Sequence, residues 1–101
     1  MVEIVWTEDA AEDLENIVKY ISKDSVQNAE MCFQKILDKV TVLENQPYSG
    51  HIVPEFNEET IRELHQFSFR IIYKIKSEFS IHILTVHHSK MLLSNNPHFD
   101  F

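Results

Sequence analysis

Apolar residues recur at two different periods along this chain. Val2-Glu3-Ile4-Val5-Trp6 is short, β-branched and partly alternating, which predicts a strand. Thr7 follows in N-cap position, with Glu8 and Asp9 in the first turn, where the helix dipole favours acids. Ala10, Ala11, Leu14, Ile17, Val18 and Ile21 then recur at three- and four-residue spacing, predicting an amphipathic helix over 8–22. Asp24 opens a second helix, with Gln27 completing a capping-box pattern. Its apolar stripe is Val26, Ala29, Cys32, Phe33, Ile36, Leu37, Val40 and Leu43. Only a few residues separate the two helices, so they pack as an antiparallel hairpin.

Beyond Gly50 the period drops to two. Ile61–His65 reads as a strand. Phe67, Phe69, Ile71, Tyr73 and Ile75 are expected to face the helices, and Ser68, Arg70, Ile72, Lys74 and Lys76 to face outward. Ser77-Glu78 supplies a turn into a strand over 79–88 that is apolar at both parities, and therefore central. Met91, Leu92 and Leu93 suggest a short helical turn in a tail that Asn95-Asn96-Pro97 would stop. The predicted order is β-α-α-β-β-β. This is an α+β fold, with a helical hairpin packed on one face of a small, mostly antiparallel four-stranded sheet. The other face is left for a partner.

Composition narrows the class. The 101 residues suit one domain spanning 1–101, and 44% hydrophobic content supplies a core. A single cysteine, Cys32, excludes a disulfide-stapled scaffold and fits a reducing cytoplasm. No apolar run is long enough to span a membrane, and no metal or cofactor is expected, since His82, His87 and His88 lack ligand spacing on one face. The formal charge of −7 argues against general nucleic-acid binding and against sequence-specific DNA binding by this chain alone. That charge is uneven, net −9 over residues 1–59 and +2 over 60–101, so the strand half can still meet an anionic target.

Several segments carry a family resemblance. Trp6-Thr7 leading to Asp13, Leu14 and Ile17 resembles the N-terminus of RelE/ParE-type toxins. Pro47-Tyr48-Ser49-Gly50 with Val53-Pro54-Glu55 is similar to that family's P-x-x-G-R-x-V-P-E loop. Ile61-Arg62-Glu63-Leu64, Phe69-Arg70-Ile71-Ile72-Tyr73 and Thr85-Val86-His87-His88-Ser89-Lys90 resemble its remaining strands, in order and spacing. The resemblance implies the toxin half of a type II toxin–antitoxin pair, neutralised by a cognate antitoxin.

Two mechanisms occur in such a family, inhibition of DNA gyrase on the ParE side and mRNA cleavage on the ribosome on the RelE side. A metal-free ribonuclease needs a base, an acid and cations around the phosphorane. By the resemblance, Glu63, Arg70 and His88 would fill those roles, with Arg62, Lys74, Lys76 and Lys90 contacting the target or phosphate. Equally, Arg70 and Glu63 can simply pair across the sheet. Ser89 in place of a second arginine, only two arginines in all and the overall acidity favour the ParE side. The RelE-like endonuclease is the alternative, and a non-toxic partner-binding relative is a further one. Convergence of the cations in one concave patch would favour the nuclease, and dispersal would favour the gyrase inhibitor.

Overall fold

Thr7 shows how the first elements are joined. Its side chain accepts from Ala10 N, capping the helix, and its hydroxyl donates to the carbonyl of Ile83 at 2.7 Å. One residue thus ends strand β1 (Glu3–Trp6), starts helix α1 (Glu8–Ser22) and ties both to the strand β5 (Ser80–His88). The computed structural model describes residues 1–88; the expected helical turn at Met91–Leu93 lies outside them.

Helix α2 (Val26–Thr41) antiparallels α1 and runs into a single 3₁₀ turn, Val42–Glu44. Its cap is Ser25 rather than Asp24: Ser25 has the extended backbone an N-cap requires, and its side chain accepts from Asn28 N. The strands are β2 (His51–Ile52), β3 (Ile61–Gln66), β4 (Phe69–Ser77) and β5, in the order β1-β5-β4-β3-β2. All neighbours pair antiparallel except β1 with β5, which are parallel. The sheet therefore has five strands. The additional one, β2, is two exposed residues long and too short to leave a periodic signal.

The helices cover one face. Leu14, Cys32, Ile36, Val40 and Leu43 meet Leu64, Ile71, Tyr73, Ile75, Ile81, Ile83 and Val86 there. Burying a side chain of this size contributes roughly 1.5–3 kcal/mol relative to exposure. Phe67 does not join this core. It occupies the β3–β4 turn in a left-handed backbone conformation (φ 56°) and is exposed. The opposite face is not bare either. The chain between β2 and β3 folds across it, and Val53, Ile61 and Ile72 form a second buried cluster with Phe56 and Leu84. Leu84 is the extra residue of an irregularity in the β4–β5 register: Ile72 pairs with Thr85, yet Tyr73 pairs with Ile83. The bulge reverses the facing of β5 beyond it, so Ile83 and Val86 share the helix side despite opposite parity.

Two further contacts set the loops. Past the end of β1, Asp13 of α1 accepts from the Thr85 hydroxyl and from Val86 N, covering the uncovered edge of β5. The fully buried Tyr73 hydroxyl accepts from Gly50 N at 3.0 Å and donates to the Pro47 carbonyl at 2.8 Å. Burial raises the Tyr73 pKa above its ordinary value, keeping the phenol protonated to donate. Gly50 allows this approach. A Cβ there would lie 2.6 Å from the Glu63 carbonyl oxygen and 2.6 Å from the Tyr73 hydroxyl. Gly50→Ala is accordingly expected to destabilise the fold by about 1–3 kcal/mol. Thermal unfolding should register this as a Tm lower by roughly 4–8 °C per kcal/mol.

Candidate functional site

The ionisable groups of the outer face gather at one end of β3 and β4. His65, Arg70 and His87 lie in register across three strands, and Glu63 sits one row below, opposite Ile72. The guanidinium of Arg70 is enclosed by two carboxylates. Its Nε donates to Glu63 Oε1 and its Nη2 to Glu63 Oε2, both at 2.9 Å. From the other side, Nη1 donates to Glu55 Oε2 and Nη2 to Glu55 Oε1, again at 2.9 Å. His65 Nε2 hydrogen-bonds Glu63 Oε1. Glu55 reaches the site because Val53, two residues earlier, is anchored in the second apolar cluster.

Burial differs across the cluster and decides its energetics. The side chains of Glu63 and Arg70 are 5% and 11% exposed, whereas that of Glu55 is 37% exposed. Burial alone would push the Glu63 carboxyl up. Hydrogen bonds from Arg70 and His65 more than offset that and hold it below its ordinary value. The hydrogen bond from Arg70 likewise holds Glu55 low, and the two carboxylates, Glu55 foremost, raise Arg70. Both acids are therefore ionised at neutral pH, and the cluster carries one more carboxylate than guanidinium.

The expected site residues divide as follows. Glu63 and Arg70 are brought together. His88 is not with them: beyond the bulge it turns to the helix side, where its ring meets Phe69 edge-on with centroids 5.7 Å apart. The histidine that faces Arg70 is His87, which is buried. Arg62 lies on the helix-side face, under the loop that holds Gly50, and donates to the carbonyls of Glu59, Tyr48 and Gly50. Lys74 pairs with Ile61 and His82, four residues from Arg70 along β4, roughly 13 Å at strand rise. Lys76 is further still and exposed, and Lys90 lies outside the described residues. The cations are dispersed.

Glu55 and His65 complete the cluster without having been singled out for it, and of the two adjacent histidines His87 takes the place expected of His88. Glu55 had a usable signal: it closes the Val53-Pro54-Glu55 segment that carries part of the resemblance. His87 had none, since the bulge that aims it depends on strand pairing. No group of three or more His, Cys, Asp or Glu among the described residues is arranged to hold a metal ion. No helix among them is long and apolar enough to cross a membrane.

A helical hairpin on a five-stranded sheet, with an acidic loop bound back to the strand arginine, defines a toxin domain of the RelE/ParE superfamily. The model of the ParE toxin of type II toxin–antitoxin systems matches residues 4–93. A solved structure described as a chromosomal ParDE toxin–antitoxin system from P. aeruginosa superposes with a TM-score of 0.70 at 25% identity. The match covers 87% of this chain and 96% of that one. No curated protein matches the chain in sequence. The chain belongs to the ParE toxin family.

Two predictions follow from the asymmetry of burial. Arg70→Ala strands Glu63 as a buried charge and is expected to cost about 3–5 kcal/mol. Glu55→Gln breaks a half-exposed pair and should cost about 1 kcal/mol or less. Denaturant titration of both variants checks the ranking. As for pH, a depressed folded-state carboxyl stabilises above the unfolded value of about 4.3 and loses that stability as pH falls through the lower folded value. Wild-type stability should therefore decline below about pH 5, and Glu63→Gln should show a shallower decline in urea melts across that range.

Proposed function

We propose that this chain is the toxin of a type II toxin–antitoxin pair and arrests growth by binding DNA gyrase, with no chemistry of its own. The observation that carries this reading is the state of its cations. A nuclease must present unspent positive charge to a phosphorane. Here Arg70 has four of its five N–H donors directed to carboxylates, and the lysines of the strands stand apart from it. Membership of the ParE family points the same way.

A cognate antitoxin is the second part of the proposal. Between the helices and β1 lies an apolar groove of about 520 Å³, lined by Trp6, Leu14, Val18, Phe33 and Leu37, with Glu30 and the Glu15–Lys19 ion pair at its rim. The apolar face of an amphipathic segment matches its floor, with a basic side chain to meet Glu30.

One observation favours the other reading. Glu55, Arg70 and His87 meet on one face, supplying a carboxylate, a guanidinium and an imidazole, the groups a ribosome-dependent mRNA endonuclease would use. The two readings separate experimentally. Purified toxin is expected to inhibit gyrase supercoiling and to trap cleaved DNA, and to leave mRNA intact on translating ribosomes. Unimpaired gyrase at excess toxin would refute the proposal, and mRNA cuts made by wild type and lost in the mildly destabilised Glu55→Gln would establish the endonuclease.

A further inference from the structure

The arginine outside the acidic cluster is placed quite differently. Among the described residues, Arg62 has no carboxylate within ion-pair distance, whereas Arg70 has two. Its Nε and Nη1 are spent on main-chain carbonyls of Glu59, Tyr48 and Gly50, at 2.9, 3.3 and 2.9 Å. Its Nη2 makes no hydrogen bond among the described residues. The guanidinium carbon lies 4.9 Å from the centroid of the Tyr48 ring, in cation–π range. Tyr48 is 53% exposed. An arginine with uncompensated charge and a large exposed aromatic ring are thus stacked into one unit.

The unit is also rigid. Tyr48 sits between Pro47, whose carbonyl accepts from the buried Tyr73 hydroxyl, and Gly50, whose N–H donates to it. Arg62 itself closes the loop from below. Such a contact surface loses little side-chain freedom on binding. Tyrosine and arginine are also the residue types that carry most binding energy at protein interfaces. Beside the loop, Lys39 and Glu63 line a polar cleft of about 200 Å³ with Ser49 and Gly50. On a chain of net charge −7, the Arg62 guanidinium stacked on Tyr48 is a local positive feature that suits an acidic partner surface.

We propose that Tyr48 and Arg62 form the docking epitope for the protein target. In that role Arg62 Nη2 takes a carboxylate of an acidic segment, while the Tyr48 ring packs against the adjoining side chain. This deepens the reading of the chain as a protein-binding toxin and rests on it for the class of partner. Tyr48 closes no core, so its truncation leaves the fold intact.

The test compares wild type, Tyr48→Ala, Tyr48→Phe and Arg62→Gln, each induced in cells without antitoxin and each purified for gyrase binding. Thermal unfolding serves as the control for folding. Tyr48→Ala is expected to weaken target binding by roughly tenfold or more and to relieve growth arrest, with an unchanged Tm. Tyr48→Phe should behave as wild type. Wild-type binding should weaken with added salt, and that dependence should flatten in Arg62→Gln. Growth arrest by Tyr48→Ala at the wild-type level would overturn the epitope. Arrest by wild type with gyrase unimpaired would overturn the gyrase target while leaving the epitope to the Tyr48→Ala comparison. Wild type without any growth effect would overturn both. Tyr48-dependent retention of single-stranded RNA on filters would overturn the protein partner in favour of nucleic acid.

Discussion

A guanidinium held between two carboxylates organises the outer face of this sheet. Arg70 neutralises Glu63, which on its own would be an ionised group buried in a strand and a large cost to the fold. The same guanidinium holds Glu55, and with it the polar end of the loop whose apolar end, Val53, covers Ile72. The second core and the ion cluster are therefore one construction. The loop has an apolar anchor and a charged anchor two residues apart, and the residues that hold them, Ile72 and Arg70, both lie on β4.

The use to which the two arginines are put changes the meaning of the charge asymmetry. Counted along the chain, the strand half is positive and the helical half strongly negative. Counted in space, Arg70 is absorbed by one acid from its own half and one from the other, and leaves no basic face behind. Of the two arginines, Arg62 has no carboxylate partner among the described residues, and it lies on the other side of the sheet, stacked under an aromatic ring.

The helical hairpin, the strand order along the chain and the helix-facing set Ile71, Tyr73 and Ile75 were legible because burial on one face imposes a period. Thr7 as a cap was legible because its chemistry is local, while Asp24 and Ser25 compete for the same role one residue apart and only backbone geometry separates them. The Glu63–Arg70 pair followed from strand alternation. What escaped depends on long-range placement. β2 is two residues long, Glu55 reaches its partner across 15 positions, and a bulge at Leu84 decides which of two adjacent histidines faces Arg70. Alternation carries no information past an inserted residue, so His87 and His88 exchange roles with no trace in composition.

The parallel pairing of β1 with β5 has a consequence for biosynthesis. Glu3–Trp6 find their ladder only on Ser80–Ile83, so the first strand made waits for the last. The hairpin of α1 and α2 emerges in the meantime with its apolar stripe open, since the strands it packs on also come later. Contacts this distant in sequence form late and all together. A chain shorter than 70 residues therefore has neither a finished loop at Tyr48 nor a neutralised Glu63, because Tyr73 and Arg70 have yet to be added. The residues lining the apolar groove, from Trp6 to Leu37, are all made before that point, so the two sides of the molecule are completed at different stages of synthesis.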